Sequence, residues 1–213
     1  MKVLLDEWNP QKVQSYNFNI SMSRSGARVS VLDRGGAGGG TSREPKHPVT
    51  ECLPASLCSW NYRIQGLRVG PVSVEYNWFT EQGHIQFPAA AYTVRKHGLM
   101  SGRWTLEQGG SQIVADAQKP SALFRSFEVR GEGGAFTLKA ETPFTRTFVL
   151  IVGDQIMGRI RPVHAFTRRA VLECGDSLPE ELQVFAFWLV GLLWKRAAES
   201  NNNAGSGAAP AGG

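Results

Sequence analysis

The chain has 213 residues, of which 42% are hydrophobic and 19% charged, a globular composition with enough material for one large domain or two small ones. Its net charge of +5 favours anionic partners, but no RNA-binding aromatic signature, helix-turn-helix pattern or dense Lys/Arg block is present, so nucleic acid is not expected. Cys52, Cys58 and Cys174 are odd in number and lack metal-ligand spacing, which argues against a disulfide framework and a zinc site and predicts reduced thiols in a cytoplasmic protein.

The first residues, Met1-Lys2-Val3-Leu4-Leu5-Asp6-Glu7, bring in acids before an apolar core of signal-peptide length develops, so no secretory leader is expected. Residues 1–57 read as an N-terminal appendage. Within it, Ser15-Tyr16-Asn17-Phe18-Asn19-Ile20 alternates in a way that fits either an added strand or a mobile segment. Residues 33–48 contain Arg34-Gly35-Gly36-Ala37-Gly38-Gly39-Gly40 and then Arg43-Glu44-Pro45-Lys46-His47-Pro48. Such a composition buries too little surface to order itself and predicts a linker. The glycine run has no Lys-Ser/Thr ending and no flanking strand and helix, so it is not a phosphate loop.

The pattern then changes to closely spaced strands. Val72, Val74, Tyr76 and Trp78 alternate with Ser73, Glu75 and Asn77, the period-two signature of a strand with one face on a core. Trp104 and Leu106 lead through Gly109-Gly110 to Ile113, Ala115 and Ala117. Phe127 and Val129 lead through Gly131-Glu132-Gly133-Gly134 to Phe136, Leu138 and Ala140. A third hairpin joins residues 145–152 to 155–161 through Gly153-Asp154, a two-residue turn. Residues 170–174 form a last strand.

The apolar run Val184-Phe185-Ala186-Phe187-Trp188-Leu189-Val190-Gly191-Leu192-Leu193-Trp194 follows. A helix apolar on every face must be enclosed by protein or by lipid. From Leu182 to Trp194 it would span ~20 Å, against ~30 Å for the hydrocarbon core of a bilayer, so enclosure by protein is expected. Ser177-Leu178-Pro179-Glu180 reads as a capping box, and Lys195-Arg196 would oppose the negative end of the helix dipole. The predicted helix covers 178–196, with Phe185, Trp188, Leu189 and Leu192 as its core residues. Residues 198–213 read as a disordered low-complexity tail. A flat sheet covers one side of such a helix, whereas a closed barrel covers all of it and removes exposed strand edges. The expected fold is therefore mainly β: an antiparallel barrel over 58–197, wound around a central hydrophobic C-terminal helix.

Tyr92-Thr93-Val94-Arg95, Ser101-Gly102-Arg103-Trp104-Thr105-Leu106, Ser121-Ala122-Leu123-Phe124-Arg125-Ser126-Phe127, Phe144-Thr145-Arg146-Thr147-Phe148-Val149-Leu150 and Gly158-Arg159-Ile160-Arg161-Pro162, closed by the apolar helix, resemble the tubby C-terminal-like superfamily. That group includes the LURP-one-related proteins and, more distantly, the phospholipid scramblases. The resemblance covers roughly residues 61–196 and rests on strand order and the terminal helix. It implies a barrel around a buried helix and a connection to lipid.

No catalytic constellation stands out. His47, His84, His97 and His164 are scattered, and Asp154 and Asp176 are explained by a turn and a helix start. No calcium-loop spacing appears, and no cofactor or metal is expected. The third hairpin supplies the candidate site. With Val152 opposite Gln155, an uninterrupted ladder sets Leu150 against Met157, Phe148 against Arg159, and Arg146 against Arg161. Its outer face would combine the anion-binding candidates Arg146, Arg159 and Arg161 with apolar Phe148, Leu150 and Met157. Like charges facing each other invite an anion or a carboxylate between them, and exposed apolar neighbours point to a membrane surface or a partner. The expected role is a non-enzymatic cytoplasmic barrel that binds anionic phospholipid headgroups at a membrane surface. The alternative is a membrane-anchored or scramblase-like protein with helix 182–194 in lipid.

Overall fold

The structure, a computed structural model, describes residues 49–57, 59–98, 101–121, 124–164, 167–176 and 178–205, with backbone only for 202–205. The Ser15–Ile20 segment, the 33–48 linker, Cys58, Ser177 and the chain past Gly205 lie outside these residues. The elements are β1 (Thr50–Pro54), β2 (Tyr62–Gln65), β3 (Val72–Asn77), β4 (Gln82–Gln86), β5 (Ala91–Lys96), β6 (Arg103–Gln108), β7 (Gln112–Gln118), β8 (Ser126–Gly131), β9 (Gly134–Ala140), β10 (Phe148–Val152), β11 (Gln155–Pro162), β12 (Ala170–Cys174) and α1 (Glu180–Gly205).

Every strand pairs antiparallel with its sequence neighbours, and β1 pairs with both β2 and β12, closing the sheet into a barrel. Closure leaves no strand edge unpaired. Alternation turns one residue in two inward: Val72 and Val74, Trp104 and Leu106, Phe127 and Val129, and Phe136 and Leu138 are all buried. Small Ala117 stands opposite Trp104 on the neighbouring strand, which makes room for the indole.

The interior is filled by α1. Every residue from Leu182 to Trp194 is buried, including Phe185, Trp188 and Leu189 at 0% exposure and Leu192 at 1%. Tyr62 of β2 packs edge-on against Phe187 with ring centroids 4.9 Å apart. Trp188 stacks on Tyr76 at 5.0 Å and donates its indole N–H to the Glu75 carbonyl at 3.3 Å. The Leu182–Trp194 stretch is thus enclosed by protein on all sides, and no helix among the described residues is long and apolar enough to cross a membrane.

Two boundaries differ from the sequence expectation. The barrel begins at Thr50, inside the segment assigned to the appendage, because β1 is the strand that closes it. The helix runs to Gly205, well past Arg196 and into the stretch assigned to the tail. Lys195 and Arg196 therefore lie within the helix and do not cap its end. At the other end, the Glu180 carboxylate accepts the backbone N–H groups of Arg68 and Val69 at 2.7 and 3.1 Å. It ties the β2–β3 loop to the helix start.

The meander fixes two rims. The loops after β1, β3, β5, β7, β9 and β11 emerge at one rim, and those after the even-numbered strands at the other. The helix enters at the second, lower rim, where Leu182 lies against Gly131 and Gly133. It leaves through the first, upper rim, where the Trp194 indole N–H donates to the Arg146 carbonyl at 3.0 Å.

Candidate interaction face

The patch expected on the β10–β11 hairpin does not form. Val152 does pair with Gln155, but the register shifts between Leu150 and Ile151, so Leu150 faces Gly158 and Val149 faces Arg159. A bulge adds one residue to one strand, here Met157, and a slip of one residue exchanges the two faces beyond it. Phe148 and Leu150 consequently point inward at 0% exposure, and Met157 is half-buried. Arg161 pairs with Glu173 at 2.7 Å, and Arg159 with Glu141 at 3.5 Å. Arg146 precedes β10 and lies over the Trp194 ring, 5.3 Å from its centroid. Arg146 and Arg161 do not face each other in any strand pair.

The upper rim gathers a different set. Its loops carry the most exposed large apolar side chains: Phe79 and Phe144 at 98%, Leu57 at 92% and Phe124 at 67%. Among the described residues the lower rim exposes aliphatic side chains such as Val69 and Val152 but no phenylalanine. Large apolar side chains left exposed at loop tips bury little on folding, and a patch of them on one rim is the kind of surface that marks a contact.

Charge divides along the same axis. The upper-rim loops and the emerging helix bring Lys119, Arg125, Arg146, Arg168, Arg169, Lys195 and Arg196, with Glu81, Glu141 and Glu199 among them. The lower rim brings Glu132, Asp154, Asp176, Glu180 and Glu181, with Arg68 among them. The upper-rim cations are close enough to act on one another. Burial and the neighbouring Arg146 charge lower the pKa of Arg125, and burial and Arg196 lower that of Lys119.

Arg125, at the end of the β7–β8 connection, is held to loop 141–147. The Arg125 Nη1 donates to the carbonyls of Pro143 and Thr145 at 3.3 and 2.8 Å, and its guanidinium lies 5.1 Å from the centroid of Phe148. This fixes Phe124 and Phe144 on adjacent tips. Between residues 124–126 and 139–143 is a cleft of about 350 Å³ lined by Phe124, Arg125, Lys139, Glu141 and Pro143 among others.

On the far side of the rim, Glu81 receives Lys96 and, at 2.7 Å, the Nε of Arg196. The Trp104 indole N–H donates to the Glu81 carbonyl at 3.0 Å. Glu81 has a positive φ of 52°, a left-handed conformation uncommon outside glycine and asparagine. Its ion pairs hold it there and moor the helix to the β3–β4 turn.

The histidines are less isolated than their spacing implies. His97 Nε2 lies 2.8 Å from the Thr105 hydroxyl, which donates to Glu107 at 2.9 Å, and Arg95 completes the chain at 3.1 Å. Thr105 is fully buried and Glu107 nearly so, which leaves the hydroxyl enclosed within the wall between β5 and β6. Among the described residues no group of three or more His, Cys, Asp or Glu is placed to hold a metal ion. No protein-family model matches the chain, and neither a curated protein nor a solved structure matches it.

Proposed function

We propose that the chain is a non-enzymatic barrel of tubby-like, LURP-one-like type that docks from the cytoplasm onto anionic membrane surfaces through its upper rim. The observation that carries this reading is the coincidence on one rim of exposed Phe124 and Phe144 with Arg125, Arg146 and Lys119, opposite an acidic lower rim. Aromatic tips gain free energy by leaving water at the headgroup boundary, and each lysine or arginine near an anionic leaflet adds about 1 kcal/mol. The acidic lower rim would be repelled, so the molecular dipole sets orientation as well as affinity.

The helix continues beyond Arg196 with exposed Glu199, Ser200 and Asn201. A polar post of this kind stands in the way of a flat approach by the whole rim. Docking is therefore assigned to the arc of loops 119–125 and 141–147. Co-sedimentation of the full chain with phosphatidylcholine vesicles, with and without phosphatidylserine, tests the reading. Binding should require the anionic lipid, weaken with salt, and fall in a Phe124→Ser/Phe144→Ser variant that remains folded. Equal binding by wild type and variant would overturn it.

A further inference from the structure

The lower rim holds a cleft of about 260 Å³ where strand ends meet the start of the helix. Strand pairing builds one side of it. Tyr92 of β5 stands opposite Gln108 of β6, and Gln108 opposite Gln112 of β7, and directly opposed residues share a face. The other side is made by Glu132 of the β8–β9 turn and Glu181 in the first turn of α1. The turn is pressed onto the helix start, since a Cβ on Gly133 would lie 2.5 Å from Pro179 Cδ. The cleft is therefore preformed.

Tyr92 is 7% exposed, with its ring edge-on to Phe87 at 5.4 Å between centroids. Its side chain lines the cleft, and its hydroxyl has no hydrogen-bond partner among the described residues. A phenol buried to this degree normally finds one. Glu132 and Glu181 likewise have no ion pair among the described residues, whereas the neighbouring Glu180 is taken up by Arg68. Burial raises the Tyr92 pKa, and the charges of Glu181 and Glu132 raise it further, so the phenol is protonated at neutral pH.

The cleft thus gathers acceptors with no cation to serve them. The phenol can donate to one carboxylate and still offer its lone pairs to a donor. An ammonium group carries three donors and no acceptor, which two carboxylates and a phenol oxygen match. Val114 and Leu182 add an apolar wall of the kind along which a methylene stem lies while its charged head stays in polar surroundings. The positive end of the α1 dipole would oppose a cation, and Glu180 and Glu181 in the first turn offset it.

We propose that the lower-rim cleft seats a primary ammonium group on an alkyl stem, held by Glu132, Glu181 and the Tyr92 hydroxyl. A lysine side chain of a partner protein and a free alkylamine share this chemistry. The seat does not rest on the docking reading, since it lies at the opposite rim and needs no lipid.

Two arms test this with the full chain in the absence of membranes. In the first, n-butylammonium chloride replaces sodium chloride at constant ionic strength, and binding is followed by amide chemical shifts in NMR. Shifts at Tyr92, Gln108 and Glu132 should saturate. Tyr92→Phe and Glu181→Gln should each bind about tenfold more weakly, the effect of losing one charge-assisted hydrogen bond. Tyr92→Phe keeps the ring against Phe87, so a thermal midpoint near that of the wild type shows that it is folded. Tetramethylammonium has the same charge and no N–H, and it should not saturate. In the second arm, a capped glycine peptide with one central lysine is compared with n-butylammonium. Tighter binding of the peptide assigns the seat to a protein lysine, and equal or weaker binding assigns it to a free amine. Absence of saturation by both probes overturns the seat. Equal binding of tetramethylammonium, or n-butylammonium affinity unchanged in Tyr92→Phe and Glu181→Gln, also overturns it.

Discussion

Gly191 of the helix and Tyr76 of β3 fit each other so closely that a Cβ on the glycine would lie 2.1 Å from the tyrosine oxygen. Tyr76 has no room to give, because its ring is stacked between Trp78 at 4.3 Å and Trp188 at 5.0 Å and its hydroxyl donates to the Trp188 carbonyl at 3.1 Å. Gly191→Ala would raise helix propensity by about 1 kcal/mol. The clash opposes this with roughly 1–3 kcal/mol of overpacking, so a net loss of stability is expected by denaturant unfolding. In a Tyr76→Phe background the nearest atom is gone, and the same substitution should cost less. A Gly191→Ala that stabilises the wild type would mean that the helix is not held against β3.

Glu81 gives a pH signature. Burial raises its pKa, but hydrogen bonds and charge from Arg196 and Lys96 outweigh burial and hold it below 4.5. A carboxylate with a depressed folded pKa contributes stability above its unfolded pKa and loses it as pH falls through the folded value. Glu81→Gln should therefore cost about 1–2 kcal/mol at neutral pH, with the difference from wild type shrinking as pH is lowered below 4.5. Stability curves of the two proteins against pH read this directly. A gap that does not change with pH would assign the cost to packing.

The thiols make a chemical prediction. Burial, with the nearby Cys174 and Glu51, pushes Cys52 well above 9.0, and burial with Glu173 pushes Cys174 up to about 12. The thiolate is the reactive species. Neither residue should be alkylated at pH 8 in the native protein, and both should be after unfolding, as followed by peptide mass spectrometry. Native-state labelling of Cys52 would place β1 outside the barrel wall.

How much of this was legible in the sequence follows from the physics of each part. The helix was, because Phe185, Trp188, Leu189 and Leu192 share no polar face and the run is too short for a bilayer. The hairpins around Gly109-Gly110 and Gly153-Asp154 were, because period-two strands and glycine turns are local signals. β1 was hidden, since Thr50-Glu51-Cys52-Leu53-Pro54 follows a proline and glycine-rich stretch and gains its place only by pairing with β2 and β12. The hairpin site was misassigned because the bulge beside Leu150 is a tertiary feature with no local sequence mark, and it exchanged the inner and outer faces of β10. The upper rim left a signal that could have been found. The seven-residue connections 119–125 and 141–147 alternate with the two-residue turns 132–133 and 153–154, and in a meander alternate connections share an end. Phe124 and Phe144 sit on the long ones.

The orientation of the docked barrel is the most direct thing to measure. Amide hydrogen exchange of the full chain should be compared with and without phosphatidylserine-containing vesicles. Docking through the upper rim predicts slowed exchange in residues 119–125 and 141–147 and no change at Gly153-Asp154 in the lower rim. Protection at the lower rim, or binding with no protection of either long loop, would contradict it.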